Sequence, residues 1–334
     1  MKAVVLVGGF GTRLRPLTLT TPKQMLPVID RPMIEHVVGW LGSAGVTDAV
    51  LALGYRPEAF TTHYTDGLCA GVRLHYAVED HPLDTAGAIR FAAHEAGFAG
   101  ERLLAINGDV LTDLDLTGLW DLHQESGAEA TIALTPVDDP SRYGVVPTDD
   151  ENRVLGFIEK PPADEAPTNW INAGSYVFEP SVLEGIPADI PVSVERETFP
   201  ALARRRSLYA LRSDAYWVDT GTPLTYLKAQ LDMVDGTRDS LPPVHPGAVV
   251  DDEAYVYRSV IMDGAIIRSG ARVENSVVSP SAVIEQNAVV RDSIIGSGAL
   301  VQNGAVVADY SVIGSDVSVT PGAELGGVRL PDPG

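Results

Sequence analysis

The sequence predicts an α/β fold, a doubly wound and mostly parallel sheet followed by a coil of short parallel strands. Two patterns carry this reading. In the first half of the chain, short apolar runs alternate with amphipathic helical stretches, the order that builds a parallel sheet with helices on both faces. From Val244 onward, aliphatic residues recur every six positions, a period that belongs to stacked short strands rather than to a helix. The expected strands are Ala3–Val7, Ala49–Leu53, Arg73–Ala77 and Leu103–Ile106. The expected helices are Met33–Ala44, Pro57–Asp66, Thr85–Glu95 and Leu116–Glu125. In such sheets ligands bind beyond the carboxyl ends of the strands. Gly8-Gly9 falls at one such end and Asn107-Gly108-Asp109 at another, so both are expected to face one cleft.

The turn after the first strand is the most informative segment. It reads Gly8-Gly9-Phe10-Gly11-Thr12-Arg13-Leu14-Arg15-Pro16-Leu17-Thr18, with Thr21-Pro22-Lys23 behind it. Glycines let a backbone approach a phosphate closely and aim N–H groups at its oxygens, while Arg and Lys neutralise the charge. The spacing is not that of the dinucleotide fingerprint, because Leu14 stands where the third glycine belongs. Nor is it the Walker loop, since no Gly-Lys follows at the required distance. A Gly-Gly turn alone would read as a tight surface loop. With Arg13, Arg15 and Lys23 around it, the loop is expected to bind a polyanion.

The repeat begins behind a linker, residues 237–246, that carries Pro242, Pro243 and Pro246. The predicted domains are therefore a catalytic domain over 1–236 and a coil over 247–334. Small residues follow each aliphatic four places later, as in Ala248, Ala254, Ala265 and Ala271, and are expected to turn the corners. Ser259, Ser276, Ser293 and Ser311 mark the phase, giving a three-sided coil with two six-residue faces and one of five that lengthens near the end. This pattern resembles the hexapeptide repeat of left-handed parallel β-helices. Some coils of that kind are acyltransferases that need a basic His. The only His in the repeat is His245, at its start, so the coil is read as structural, for assembly or packing. A stacked edge needs a cap or a partner, which predicts a homo-oligomer.

Composition narrows the partners. A formal net charge of −21 argues against nucleic acid or an anionic membrane, and a nucleotide would have to be held by local cations, N–H groups and a metal. A single cysteine, Cys69, excludes a disulfide framework and suits a reducing cytoplasm. No charged-then-apolar leader precedes the first strand and no apolar run approaches membrane-span length, which also predicts a cytoplasmic protein. No Gly-x-Ser-x-Gly elbow or His-Glu-x-x-His is present.

Other segments carry chemistry in combination. Asp109, at a strand end after Gly108, is placed either to hold Mg²⁺ on a phosphate or to serve as a turn aspartate. Asp219, in Trp217-Val218-Asp219-Thr220-Gly221-Thr222-Pro223, is a second carboxylate ahead of a helix that Thr222 could equally cap. Glu159-Lys160 alone reads as a solvated pair. Asn172-Ala173-Gly174, inside the β-like run Ile171–Phe178, suggests close approach by a ligand or another backbone. Ser193-Val194-Glu195-Arg196-Glu197 reads as a capped helix start.

Together these residues resemble the sugar-1-phosphate nucleotidyltransferases with a C-terminal left-handed β-helix, over essentially the whole chain. The resemblance rests foremost on Gly8 through Thr18 with Pro22-Lys23. It implies that Gly8, Gly9, Gly11, Thr12, Arg13 and Lys23 bind an NTP, with Arg13 and Lys23 catalytic. It also implies that Asp109 and Asp219 hold Mg²⁺, that Gly144, Glu159, Asn172 and Glu195 meet the sugar, and that Lys160 meets its phosphate. Within the family, Phe157–Pro161, Ile171–Gly174, Ser193–Pro200 and Trp217–Gly221 resemble mannose-1-phosphate guanylyltransferases. The segment Glu79–Gly87, with Glu79, Thr85 and Gly87, resembles the stretch beside their base, with Asp84 where those enzymes usually have Gly. The implied reaction joins GTP and mannose 1-phosphate. The alternatives are adenylyl, uridylyl or thymidylyl transfer to glucose 1-phosphate or a cyclitol phosphate, and a non-catalytic paralogue that binds nucleotide sugars.

Overall fold

The computed structural model describes residues 1–162, 164–238 and 241–332; residues 239–240 of the predicted linker and 333–334 of the predicted coil lie outside it. The chain forms two compact units, Met1–Gly9 with Ile34–Trp217, and Phe10–Met33 with Val218–Gly334.

The first unit is built on a ten-stranded sheet. In chain order it comprises β1 (Lys2–Leu6), α1 (Met33–Ser43), β2 (Asp48–Leu53), α2 (Glu58–Thr61), β3 (Leu68–Cys69), β4 (Val72–Val78), α3 (Asp84–Glu95) and β5 (Leu103–Asn107). There follow α4 (Leu116–Ser126), β6 (Ala130–Pro136), β7 (Gly144–Val145), β8 (Ile158–Glu159), β9 (Trp170–Phe178), α5 (Pro180–Glu184), α6 (Phe199–Arg204) and β10 (Leu208–Arg212). The strand order is β8-β7-β9-β5-β1-β2-β4-β3, with β6 paired to both β9 and β10. At the centre β1 runs parallel to β2 and β5, and β2 to β4. Ala3, Val4 and Val5 of β1 are fully buried, as a strand covered on both faces requires. Val4, Val50, Ala52 and Ala77 pack with Ala86, Ile89, Ala92 and Ala93 of α3 in one core.

The sheet is less parallel than expected. β9 runs antiparallel to both β5 and β6, and β7 and β8 extend that antiparallel edge. The helix expected over Pro57–Asp66 is only Glu58–Thr61. Thr61 and Thr62 both turn their hydroxyls back to the Glu58 carbonyl, at 3.4 and 2.6 Å, and Asp66 accepts from the Leu68 N–H at 3.0 Å to start a turn.

In the second unit, residues 10–33 fold as three short 3₁₀ turns, Thr12–Leu14, Leu17–Leu19 and Lys23–Met25, and a hairpin of Pro27–Val28 with Arg31–Pro32. Helix α7 (Pro223–Val234) is capped by Thr222, whose side chain exchanges hydrogen bonds with Thr225. From α7, the buried Gln230 amide accepts from the Ile29 N–H and donates to the Pro27 carbonyl, both at 2.8 Å. The hairpin is thereby held from both sides of one amide.

The coil consists of three five-stranded, all-parallel sheets that start at Val249–Val250, Tyr255–Tyr257 and Val260–Ile261, an arrangement consistent with the left-handed β-helix. Its interior is apolar. Ile261, Ile267, Val273, Ile284 and Val290 are fully buried, and so are Ala265, Ala271, Ala282 and Ala288. The alanines thus both close the corners, as when the Ala265 N–H donates to the Met262 carbonyl at 3.1 Å, and fill the core. Ser259, Ser276 and Ser293 form a buried ladder, in which the main-chain N–H groups of Ser276 and Ser293 each donate to the hydroxyl 17 residues earlier at 3.0 Å. The lengthened face falls at Asp309-Tyr310, where two successive residues adopt positive φ, 56° and 61°.

Candidate functional site

The predicted phosphate loop is distributed over both units. Gly8 and Gly9 close the first unit's β1 segment, exposed and with open space where a Cβ would stand; Gly9 has φ 102°. Gly11, at φ 58°, folds the loop back in the second unit, where a Cβ on it would come 3.0 Å from Thr18 Cγ2 and 3.4 Å from Lys23 Cβ. Thr18 donates its hydroxyl to the Gly11 carbonyl at 2.8 Å, which fixes the same bend. Thr12 and Arg13 are exposed. The fold also brings Asp219 to Arg13 across 206 residues of sequence. A Cβ on Gly221 would stand 2.5 Å from Arg13 Nη2 and 2.8 Å from Asp219 Oδ1. The carboxylate itself accepts from the Gly221 N–H at 2.8 Å. Capping of α7 is done by Thr222, so Asp219 is not consumed by the helix end.

In the first unit, Gly108 donates to the Leu6 carbonyl at 2.9 Å, and a Cβ there would stand 2.8 Å from the same oxygen. Only glycine lets this turn, which carries Asp109, tuck under the end of β1. At Asn172–Gly174, where a ligand or another backbone was expected to come close, the near neighbour is a side chain. The β9–β6 register shifts between Asn172 and Tyr176, and Gly174, at φ 75°, faces the Asn107 amide, which a Cβ would meet at 2.6 Å. Asn172 accepts from the Gly174 N–H and donates to the Tyr176 hydroxyl, both at 2.9 Å. Burial, with Glu195 and Asp109 nearby, pushes the Tyr176 phenol well above its ordinary pKa, so it stays a neutral hydroxyl.

Glu195 lies on a π-helical turn, Val194–Thr198, capped by Ser193. It accepts from the hydroxyls of Thr85 and Ser193, both at 3.1 Å. Thr85 in turn accepts from the Val194 N–H at 2.8 Å. Gly87 is demanded by packing, because a Cβ would come 3.1 Å from the Ile190 carbonyl oxygen. Glu79, at the end of β4, accepts from the Leu83 N–H at 3.1 Å, and burial raises its carboxyl pKa. Asp84 adopts φ 56° and pairs with Arg196 at 2.5 Å. Gly144 pairs with Glu159 across β7 and β8, and the Phe157 ring fills the space of a side chain at Gly144. Lys160 is exposed and 3.1 Å from Glu159. The structure therefore gathers Asp109, Asn172 and Glu195 around Tyr176, with Thr85 bonded to Glu195, and places Glu159, Lys160 and Gly144 on the antiparallel edge.

Tyr176 was missed by sequence reasoning, while Asn107 and Gly221 were read only as members of their motifs, without a role of their own. Tyr176 resembles any core aromatic, and it does stack into one with Phe178 and Phe199. The asparagine ahead of Gly108 and the glycine after Asp219 offered a signal, as polar and small residues at strand ends. No cluster of three or more His, Cys, Asp or Glu side chains suited to a metal occurs among the described residues.

Residues 2–236 match the family described as nucleotidyl transferase, and 242–330 match the GMPPB C-terminal domain. The chain belongs to the nucleotidyl transferase family. Among its relatives is the mannose-1-phosphate guanylyltransferase of Mycobacterium tuberculosis, 43% identical over 71% of this chain and 66% of that one. Another is the mannose-1-phosphate guanyltransferase of Debaryomyces hansenii, 43% identical over 68% of this chain and 63% of that one. The matched stretch thus spans just under two thirds of these nucleotidyl transferases' own length. Crystal structures of HddC from Yersinia pseudotuberculosis share the fold of much of this chain, with TM-scores of 0.60 alone and 0.58 in complex with GMP-PN. They are 28% and 27% identical, and each match covers 69% of this chain and 97% of that one. Among the described residues no helix is long and apolar enough to cross a membrane.

Proposed function

We propose that the protein transfers a guanylyl group from GTP to mannose 1-phosphate, giving GDP-mannose and pyrophosphate. The observation that carries this is the convergence of Arg13 and Asp219 over Gly221; in the turn after β1, Gly8 and Gly9 leave open space where side chains would stand. The naming of relatives at 43% identity, and the GMP-PN complex of HddC, favour guanine and mannose over other pairs.

In this reading the attacking phosphate of the sugar is already an anion at neutral pH, so no general base is needed. The work is positioning and charge compensation. Arg13 and Lys23 offset charge on the β- and γ-phosphates and on the leaving pyrophosphate, with Thr12 and the N–H groups of Gly8, Gly9 and Gly11 orienting the chain. Lys160 holds the incoming phosphate. Asn172, Glu159 and Glu195 bind sugar hydroxyls, and Gly144, which makes room for the Phe157 ring, meets the sugar through its backbone. Glu79, Thr85 and Gly87 lie on the segment assigned to the base. Asp109 and Asp219 are the two residues that would hold Mg²⁺, hard carboxylate oxygens in the number it takes from a protein when phosphates and water complete its shell. When bound, Mg²⁺ would neutralise phosphate charge and draw electron density from the α-phosphorus.

We place the protein in the cytoplasm, where its one thiol, buried Cys69 with a pKa pushed up to about 12 by burial, would stay reduced and unreactive. The exposed Val249, Tyr255 and Tyr257 on the first rung of the coil support assembly as a homo-oligomer through that end. Pyrophosphate release, measured for GTP, ATP, UTP and dTTP against mannose, glucose and cyclitol phosphates, tests the proposal. A dominant GTP and mannose 1-phosphate pair supports it. Another dominant pair replaces the substrates, and nucleotide-sugar binding without any release assigns a non-catalytic role.

A further inference from the structure

We infer that the last rung of the β-helix is a positioning element for the nucleotide loop, acting through Arg329. The inference rests on the functional reading above, and it concerns the second unit alone, to which residues 10–33 of the loop and the coil belong.

One hydrogen bond in the loop cannot be made by the loop itself. Its first 3₁₀ turn closes with Leu14 N–H donating to Gly11 and Arg15 N–H to Thr12, at 2.9 and 3.2 Å. The next donor in that i→i+3 series would serve the Arg13 carbonyl, but residue 16 is proline and has no N–H. Arg329 supplies the donor instead. Its Nη1 is 3.1 Å from the Arg13 carbonyl oxygen and 3.5 Å from that of Arg15, across 316 and 314 residues. Arg329 begins the final strand of the coil, Arg329–Leu330, paired in parallel with Val312–Ile313.

A second contact fixes the same place. Gly314 donates its N–H to the Leu330 carbonyl at 2.6 Å. A Cβ on Gly314 would stand 3.0 Å from that carbonyl, 3.1 Å from Pro331 Cδ and 3.1 Å from Pro16 Cβ. The absent side chain therefore lets Pro16 close on the last corner of the coil. Further along, Leu17, Thr21 and Met25 line a cavity of about 240 Å³ with Pro280, Ser297 and Ser315, corner residues of successive rungs. The loop thus lies along one corner of the β-helix and is anchored at its end, where the residue held by its carbonyl is Arg13 itself. The coil carries no chemistry of its own in this account; it sets the backbone from which the catalytic arginine reaches Gly221.

Arg329→Ala in the full chain tests this, with GTP and mannose 1-phosphate varied separately and amide hydrogen exchange followed by mass spectrometry. The expected result is a rise in KM for GTP or a fall in kcat of about tenfold or more, with KM for mannose 1-phosphate unchanged. Exchange should quicken in residues 10–20 while peptides from rungs 260–300 keep their protection. Parental kinetics together with parental exchange would overturn the inference. So would exchange that quickens equally through the coil, because Arg329 would then be a general support. If the parent protein itself releases no pyrophosphate with any pair, the functional reading fails. Exchange in residues 10–20 still decides whether Arg329 orders the loop.

Discussion

At the level of single residues, the site is controlled by what glycine leaves out. Gly221 occupies the point toward which Arg13 and Asp219 converge, so Gly221→Ala would put a methyl 2.5 Å from Arg13 Nη2. The guanidinium is the flexible partner and must move, while the capped helix behind it stays. The expected outcome is an unchanged melting temperature with turnover down by about a hundredfold, the cost of misplacing a catalytic group by about 1 Å. Pyrophosphate release and a thermal melt on the same sample check it, and parental turnover would show that Arg13 works from another position. Tyr176 offers a second case. Tyr176→Phe removes the acceptor of the Asn172 amide while keeping the ring in its aromatic stack. The prediction is a higher KM for mannose 1-phosphate, about fivefold to tenfold, with KM for GTP unmoved, reflecting loss of one oriented hydrogen bond. A change confined to GTP would reassign this cluster to the nucleotide. Neither residue stood out in the sequence. Arg13 and Lys23 did, because cations crowded around a glycine turn have few purely structural uses, whereas Asp109 and Asp219 were also compatible with a turn and a helix cap. A buried tyrosine and a glycine before a helix have many such uses.

At the level of elements, the reading succeeded where a period was long and failed where direction had to be known. Six-residue spacing of aliphatics over five rungs fixes a three-sided coil almost regardless of detail, and the serine markers proved to be a buried hydroxyl ladder. Strand β9 shows the limit. Its run of apolar residues announces a strand but not that it runs against β5, since pairing direction is set by the connection and not by side-chain alternation. The bulge at Asn172–Gly174 was legible as a disturbance because Asn and Gly are poor strand residues. Helix α4 carries a further consequence. His123 is buried in it, its ring bonded to Thr131 Oγ1 at 2.9 Å and Glu179 Oε1 at 3.2 Å, and burial lowers its pKa. Below the ordinary imidazole value of about 6.5, the unfolded chain therefore takes up a proton that the folded chain resists. Stability should fall as the pH drops from about 7 toward 5. His123→Gln is expected to flatten that acid-side loss while costing about 1–2 kcal/mol at neutral pH through the imperfect replacement of two bonds. Urea midpoints of both proteins across this range decide it, and parallel curves would remove His123 as the cause.

For the whole molecule, the division into compact units cuts across the order of the chain. A change of texture near residue 236 points to a catalytic part followed by a coil, yet residues 10–33 share a compact unit with α7 and the β-helix. Long-range partners decide such a division, and Arg329, an exposed arginine late in a repeat, looks like any solvated charge until its acceptors are seen. The consequence is a coupling that can be measured. Repeat coils transmit disturbance from rung to rung, because each rung is held mainly by its neighbours. Ile284→Ala would empty a fully buried site in the coil interior, at a cost of about 2–5 kcal/mol. The residue lies far from the loop in sequence and outside the proposed chemistry. Calorimetric titration should then show GTP binding weakened severalfold while mannose 1-phosphate, assigned to residues of the first unit, binds as before. Equal losses for both ligands would mean that the cavity unsettles the entire protein. Unchanged GTP binding in a measurably destabilised coil would mean that the loop holds its shape without the β-helix, and the coil would return to a role in assembly alone.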